Sequence, residues 1–174
     1  MKANILILTL ISLFALNTKM NAQSHLAIGT QITMGDDTRK SVENLSVGDV
    51  VLSYDYTKDV YEKKTVKSVE KIMFNRLIRM VLENKMQILL TSDNPFWSER
   101  GWISVDPEMT SQNPKYKSVK QCNTGDYLSF YDILSTGSER VAIMEGILEP
   151  IMAYSIQLEG DGSIIANGFI IGAD

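Results

Sequence analysis

Cysteine and histidine each occur once in these 174 residues, as Cys122 and His25. A lone cysteine excludes an internal disulfide framework even where export would permit one. One Cys and one His cannot assemble the usual four-ligand zinc site, so neither a metal nor a cofactor is expected. Basic residues are outnumbered, 17 against 21 acidic ones, and an acidic surface repels nucleic acid and anionic lipid. The one basic cluster, Lys63, Lys64, Lys67 and Lys71, is interleaved with Glu62 and Glu70 and reads as a solvated strand face. Long helical periodicity is missing too. Short alternating or apolar runs replace it, broken by turn residues, which indicates an all-β fold.

The one long apolar run, residues 5–16, follows Lys2 and precedes Met20-Asn21-Ala22-Gln23. About a dozen apolar residues after a positive start, with a small residue at the cut site, describe a secretory signal. The run is shorter than the roughly 20 residues a membrane span needs. The expected organisation is a signal peptide over residues 1–22 and one β domain over 23–174. This implies a secreted or periplasmic bacterial protein with no membrane attachment after cleavage. The 152 residues left, with 15 basic and 21 acidic side chains, suffice for one hydrophobic core and a monomer.

Candidate strands are residues 50–55, 63–72, 77–83, 86–90, 127–131, 141–148, 154–158 and 163–166. Turn signals stand at Gly35-Asp36-Asp37, Glu83-Asn84-Lys85, Ser135-Thr136-Gly137 and Glu159-Gly160-Asp161-Gly162. Single helical turns are expected at 41–45 and 118–122. Residues 106–117, with Pro107 and Pro114, read as a surface loop.

A repeat is the most informative pattern. Residues 41–55 read SVENLSVGDVVLSYD and residues 118–132 read SVKQCNTGDYLSFYD. Ser, Val, Gly, Asp, Tyr and Asp fall at identical offsets, and Glu70 and Leu82-Glu83 have later counterparts in Glu145 and Leu158-Glu159. Two β subdomains related by a pseudo-twofold axis follow, with Gly48-Asp49 and Gly125-Asp126 as the same turn. Glycine there supplies positive φ, and the aspartate bonds nearby amides.

His25-Leu-Ala-Ile-Gly-Thr-Gln-Ile and Val42-Glu-Asn-Leu-Ser-Val-Gly-Asp resemble the opening of hedgehog/intein (Hint) domains. Thr91-Ser-Asp-Asn-Pro-Phe resembles their second block, and Gly101-Trp102 with Gly125-Asp126-Tyr-Leu the stretch after it. The closing strands, Ala153-Tyr-Ser-Ile-Gln-Leu-Glu-Gly-Asp and Ala166-Asn-Gly-Phe-Ile-Ile, are similar as well. The resemblance covers nearly all of residues 23–174. It implies a Hint-type horseshoe of two related halves, in agreement with the repeat.

It also implies where self-cleavage chemistry would sit. The family begins with a Cys or Ser attacking the preceding carbonyl; that position holds His25, with Ser24 one residue early. The second block supplies Thr and His. Thr91 is retained, but Asn94 stands at the His position and cannot transfer a proton near neutral pH. A late His is replaced by Gly162, and the final His-Asn pair aligns with Gly172 and Ala173. Six vestigial positions result and no intact catalytic set. Two residues of the mature chain precede His25 and one follows Ala173, so nothing to splice is expected.

Other constellations have ordinary readings. Thr91, Asp93 and His25 would converge as a hydrogen-bonded remnant pocket or, less simply, a Thr-His-Asp hydrolase site. Cys122 matches Leu45 in the repeat and reads as a buried small hydrophobe. Asp36-Asp37 and Glu159 with Asp161 are acidic turns without calcium-loop spacing. Trp97 and Trp102 read as hairpin packing, or as a binding platform if exposed. The leading reading is an exported non-catalytic Hint-type module that binds a partner, expected to be a protein, with residues 106–117 as its candidate surface. The enzyme alternative is residual self-cleavage through Ser24 or His25 with Thr91 and Asn94. The third is a remnant without a present role.

Overall fold

Residues 24–173 are described by a computed structural model; the signal segment expected at 1–22 lies outside the described residues. In chain order the strands are β1 (Leu26–Ala27), β2 (Gln31–Thr33), β3 (Arg39–Ser41), β4 (Val50–Asp55) and β5 (Val60–Phe74). There follow β6 (Leu77–Leu82), β7 (Gln87–Leu90), β8 (Phe96–Ser98), β9 (Gly101–Ser104), β10 (Lys120–Gln121) and β11 (Tyr127–Asp132). The last four are β12 (Ser135–Ile147), β13 (Ile151–Leu158), β14 (Ser163–Ala166) and β15 (Phe169–Gly172). One short helix, α1 (Pro107–Thr110), precedes β10. The strands join in one winding sheet, with almost every pairing antiparallel.

The repeat appears as two long strands that change partners at equivalent points. β5 pairs with β4 as far as Thr65 and with β13 from Val66 onward. β12 pairs with β11 as far as Arg140 and with β6 from Val141 onward. Val66 and Val141 are both fully buried at the handover. Gly48, at φ 90°, donates to the Val66 carbonyl, and Gly125, at φ 96°, donates to that of Val141. Asp49 and Asp126 accept from the amides of Ser46 and Asn123, each at 2.8 Å. The Gly-Asp turns therefore do the same job in both halves, and glycine is needed because φ is positive. Lys40 and Arg100 bind these two carboxylates as parallel outer partners.

This double duty explains why the observed β5 and β12 exceed the expected 63–72 and 141–148. Each end is held by a different neighbour. The turn expected at Ser135-Thr136-Gly137 lies inside β12 instead, because the Asp132–Ser135 pair closes the hairpin at Ile133-Leu134. Gly137 makes room for the Phe130 ring, which a Cβ would meet at 3.3 Å. The helical turn expected at 118–122 is also corrected: Lys120 and Gln121 form β10, parallel to β9. The one at 41–45 is present as a 3-10 turn over Val42–Asn44.

Residues 106–117 are not a plain surface loop. Asp106 and Asn113 cap α1 and a following 3-10 turn (Pro114–Tyr116), each with proline just inside the start. Thr110 and Tyr116 are buried beneath it. The core beyond is apolar and continuous, centred on Phe96 and Phe169 with ring centroids 5.9 Å apart. Cys122 and Leu45 are both buried in it, and burial pushes the Cys122 thiol up to about 12. A thiol so placed is inert. Among the described residues no helix is long and apolar enough to cross a membrane.

Candidate functional site

β1 lies between β7 and β13, with Leu26 opposite Leu90 on one side and Tyr154 on the other. That placement brings His25 against Thr91, 66 residues away. The His25 amide donates to Thr91 Oγ1 at 3.1 Å, and the Thr91 amide returns a bond to the His25 carbonyl at 3.0 Å. Asn94 turns back on this pair. Its Nδ2 lies 2.8 Å from Thr91 Oγ1, 3.0 Å from the Thr91 carbonyl and 3.1 Å from that of His25. Asn94 Oδ1 is buried and accepts from no group among the described residues. The His25 ring packs on Phe74 at 4.8 Å.

Asp93 joins the cluster as a buried carboxyl. Burial holds its pKa above the ordinary carboxylate value; the Thr91 hydroxyl bond and the attraction of His25 oppose that only in part. The expected convergence of Thr91, Asp93 and His25 is therefore present. Residues 106–113 supply the opposite wall. The Asp106 amide donates to the Ser92 carbonyl at 2.9 Å, and the Thr110 hydroxyl donates to the Asp93 carbonyl at 2.8 Å. Between the walls lies an open cleft of about 1030 Å³, bordered by His25, Thr91, Asp93, Ile72, Phe74 and Met109.

The two glycines of the candidate set are closed in. Gly172 ends β15, its amide bonded to the Pro95 carbonyl at 2.9 Å. A Cβ there would overlap the Tyr116 hydroxyl and sit 2.8 Å from Pro95 Cγ. Tyr116 is fixed in that place because its hydroxyl donates to the Ala173 carbonyl at 2.9 Å. At Gly162 a Cβ would meet Ser53 Oγ at 2.9 Å and Leu158 Cδ1 at 3.3 Å. Ser53 is itself engaged, accepting from the Ser163 amide at 3.0 Å. Neither Gly162 nor Gly172 borders the cleft at His25.

Solved structures match this architecture over most of its length. A DnaB intein from Synechocystis sp. PCC 6803 superposes with a TM-score of 0.69 at 12% identity, covering 87% of this chain and 99% of the intein. The chain has a Hint-type, intein-like fold. A bacterial intein-like domain from Clostridium thermocellum is similar, with a TM-score of 0.66 at 15% identity over 86% of this chain and 98% of that one. So is the gp41-1 intein, with a TM-score of 0.64 at 18% identity over 87% and 98%. The sequence matches no family model and no curated protein.

Within the Hint-type frame, four of the singled-out residues form one cluster: His25, Thr91, Asp93 and Asn94. Gly162 immediately precedes β14, Gly172 ends β15 and Ala173 follows it, with Ser53 beside Gly162 and Tyr116 beside Gly172 and Ala173. Two features of the site had no signal in the sequence. Tyr116 sits in a loop of polar composition, and the wall formed by α1 is set by pairings across the chain.

Asp93 gives the cluster a measurable pH signature. Its carboxyl binds a proton more readily folded than unfolded, so the native chain loses stability as pH rises from about 3.9 through the raised native value. Asp93→Asn should abolish that loss. The variant is expected to melt higher than the parent at pH 7, with the gain shrinking to nothing as pH approaches 4. An Asn variant that melts lower at every pH would show that the carboxylate is held by attraction.

Proposed function

We propose that this chain is an exported, non-catalytic Hint-type module whose cleft at His25 receives an external partner, a protein segment. The observation that supports this most directly is the Tyr116 hydroxyl filling the space beside Gly172. The position that resembles the family's final histidine has no room for a side chain. Asn94 adds to it, since an amide clamped on three acceptors donates hydrogen bonds but transfers no proton. What remains is an open cleft whose lining joins the buried polar cluster of His25, Thr91 and Asp93 to exposed apolar side chains, Ile72 and Met109, a mixture suited to recognition. In this reading residues 1–22 direct export to the periplasm or exterior, and the mature chain is a monomer that binds no nucleic acid and keeps no membrane anchor.

One observation favours a second reading, residual self-cleavage. The amide that would be cut, between Ser24 and His25, has its nitrogen bonded to Thr91 Oγ1, which is where a bond-distorting hydroxyl belongs. The deciding experiment is intact mass of residues 23–174 carrying a short tag at each end, incubated with and without dithiothreitol or hydroxylamine. Both tags are expected to remain after several days. Release of the N-terminal tag at Ser24 or His25 would establish the second reading and remove the first.

A further inference from the structure

Away from the His25 cleft, aromatic side chains of β4, β5, β8, β9 and β11 form a continuous set. Tyr54 lies 5.1 Å from Tyr61 and 6.2 Å from Trp97, and Tyr61 lies 4.7 Å from Tyr131. Trp97 faces Trp102 across the β8–β9 hairpin at 5.1 Å. Tyr54, Asp59, Tyr61 and Trp97 line one part of a small open recess of about 190 Å³, with Phe130 and Ile170 also in its lining. At about 30 Å³ per water the recess holds roughly six waters, the size of a small organic head rather than a peptide.

Two features define its chemistry. The rings are tilted to one another, by 46° for Tyr54–Tyr61 and 51° for Tyr54–Trp97. Flat sugar faces want a coplanar platform; inclined walls suit a rounded group. The second feature is charge. The Tyr54 hydroxyl donates to Asp59 at 2.7 Å, and the Tyr131 hydroxyl donates to Asp37 at 2.8 Å. Donation to a carboxylate enriches the phenol ring in electrons. Among the described residues neither Asp37 nor Asp59 is in an ion pair, and the neighbouring Lys58 is taken by Asp55 at 2.7 Å. Burial, with smaller contributions from Tyr54, Tyr131 and Asp59, pushes the Tyr61 phenol up to about 12. Asp59 itself holds a left-handed backbone, φ 57°, and its carboxylate accepts from Tyr54 beside the recess it lines.

We propose that the recess formed by Tyr54, Tyr61, Trp97 and Asp59 binds a quaternary ammonium head. A cation with a diffuse charge and an apolar surface gains from the ring faces and loses little hydration on entry. Asp59 then supplies the counter-charge. The chemistry is shared by a free trimethylammonium compound and a choline lipid headgroup.

The test is tryptophan fluorescence and calorimetric titration of residues 23–174 with choline chloride at constant ionic strength. The parallel arms are 3,3-dimethylbutan-1-ol, which has the shape without the charge, and glucose. Choline is expected to saturate in the millimolar range, with the neutral isostere and glucose silent. Asp59→Asn and Tyr61→Leu should each weaken choline about tenfold. Asp59→Asn alters one exposed turn, so a folded variant is assured by its melting curve. Vesicles of phosphatidylcholine against phosphatidylglycerol separate the two sources. Co-sedimentation with the former alone assigns a lipid head, and choline binding without co-sedimentation assigns a free ligand. No response to choline at 100 mM, equal binding of the neutral isostere, or glucose binding instead would overturn the proposal.

Discussion

A His25→Cys/Asn94→His variant with a tag fused ahead of Ser24 is expected to lose that tag on incubation with dithiothreitol, whereas the parent chain keeps it. The geometry around the bond supplies the reason. The nitrogen of residue 25 already rests on Thr91 Oγ1, and the side chain at 94 already reaches that hydroxyl at 2.8 Å. A cysteine at 25 brings a thiolate that can attack the Ser24 carbonyl, breaking the amide between Ser24 and the introduced cysteine and forming a thioester. A histidine at 94 can deliver the proton that the departing nitrogen needs. Dithiothreitol then takes the acyl group and frees the cysteine. General acid assistance alone is worth about 10²–10⁴ in rate, so the difference should run from no product to nearly complete release. The C-terminal tag should stay, because Gly172 has no side chain to act there. Adding Thr91→Ala should slow the release. A folded double variant that keeps both tags for days would show that residues 25, 91 and 94 are not arranged for the acyl shift.

Gly172→His is expected to destabilise the fold by at least about 3 kcal/mol, a fall in melting temperature of roughly 6–12 °C. The side chain would have to displace Tyr116, and doing so removes the 2.9 Å bond from its hydroxyl to the Ala173 carbonyl. Pro95 blocks the other direction. If Tyr116 is the obstacle, trimming it first should relieve part of the loss. Tyr116→Ala/Gly172→His should therefore be less destabilised than the sum of the two single changes by about 1 kcal/mol or more. Full additivity in thermal melts would show that the histidine is accommodated elsewhere and that Tyr116 does not close the position.

The two halves of the fold were legible because their turn is chemically specific. Gly48-Asp49 and Gly125-Asp126 recur at one offset, and both glycines do hold positive φ. The strands β4 and β14 were also read with their observed bounds. The partner change in β5 and β12 left no local mark, since the strand pattern continues through Val66 and Val141. The hairpin at Ile133-Leu134 was missed because two exposed apolar residues carry no turn signal, while Ser135-Thr136-Gly137 carries a strong one. Residues 106–117 contain enough polar side chains to look like solvent-exposed loop. Tyr116 was invisible there because its partner, Ala173, is 57 residues distant.

What the sequence determined by itself is an inventory of chemistry. One histidine, one cysteine and an asparagine at position 94 mean that residue 94 itself offers no proton-transfer group, whatever the fold. Residue type and short-range spacing suffice for that, as they do for strands and turns. Only the tertiary structure decided which side chains share a space. Sheet order brings His25 beside Thr91, sets α1 across the cleft from Phe74, and gathers Tyr54, Tyr61 and Trp97 around one recess. Each of these follows from pairing between distant strands, which is fixed by the burial of one common core and not by any neighbouring residue.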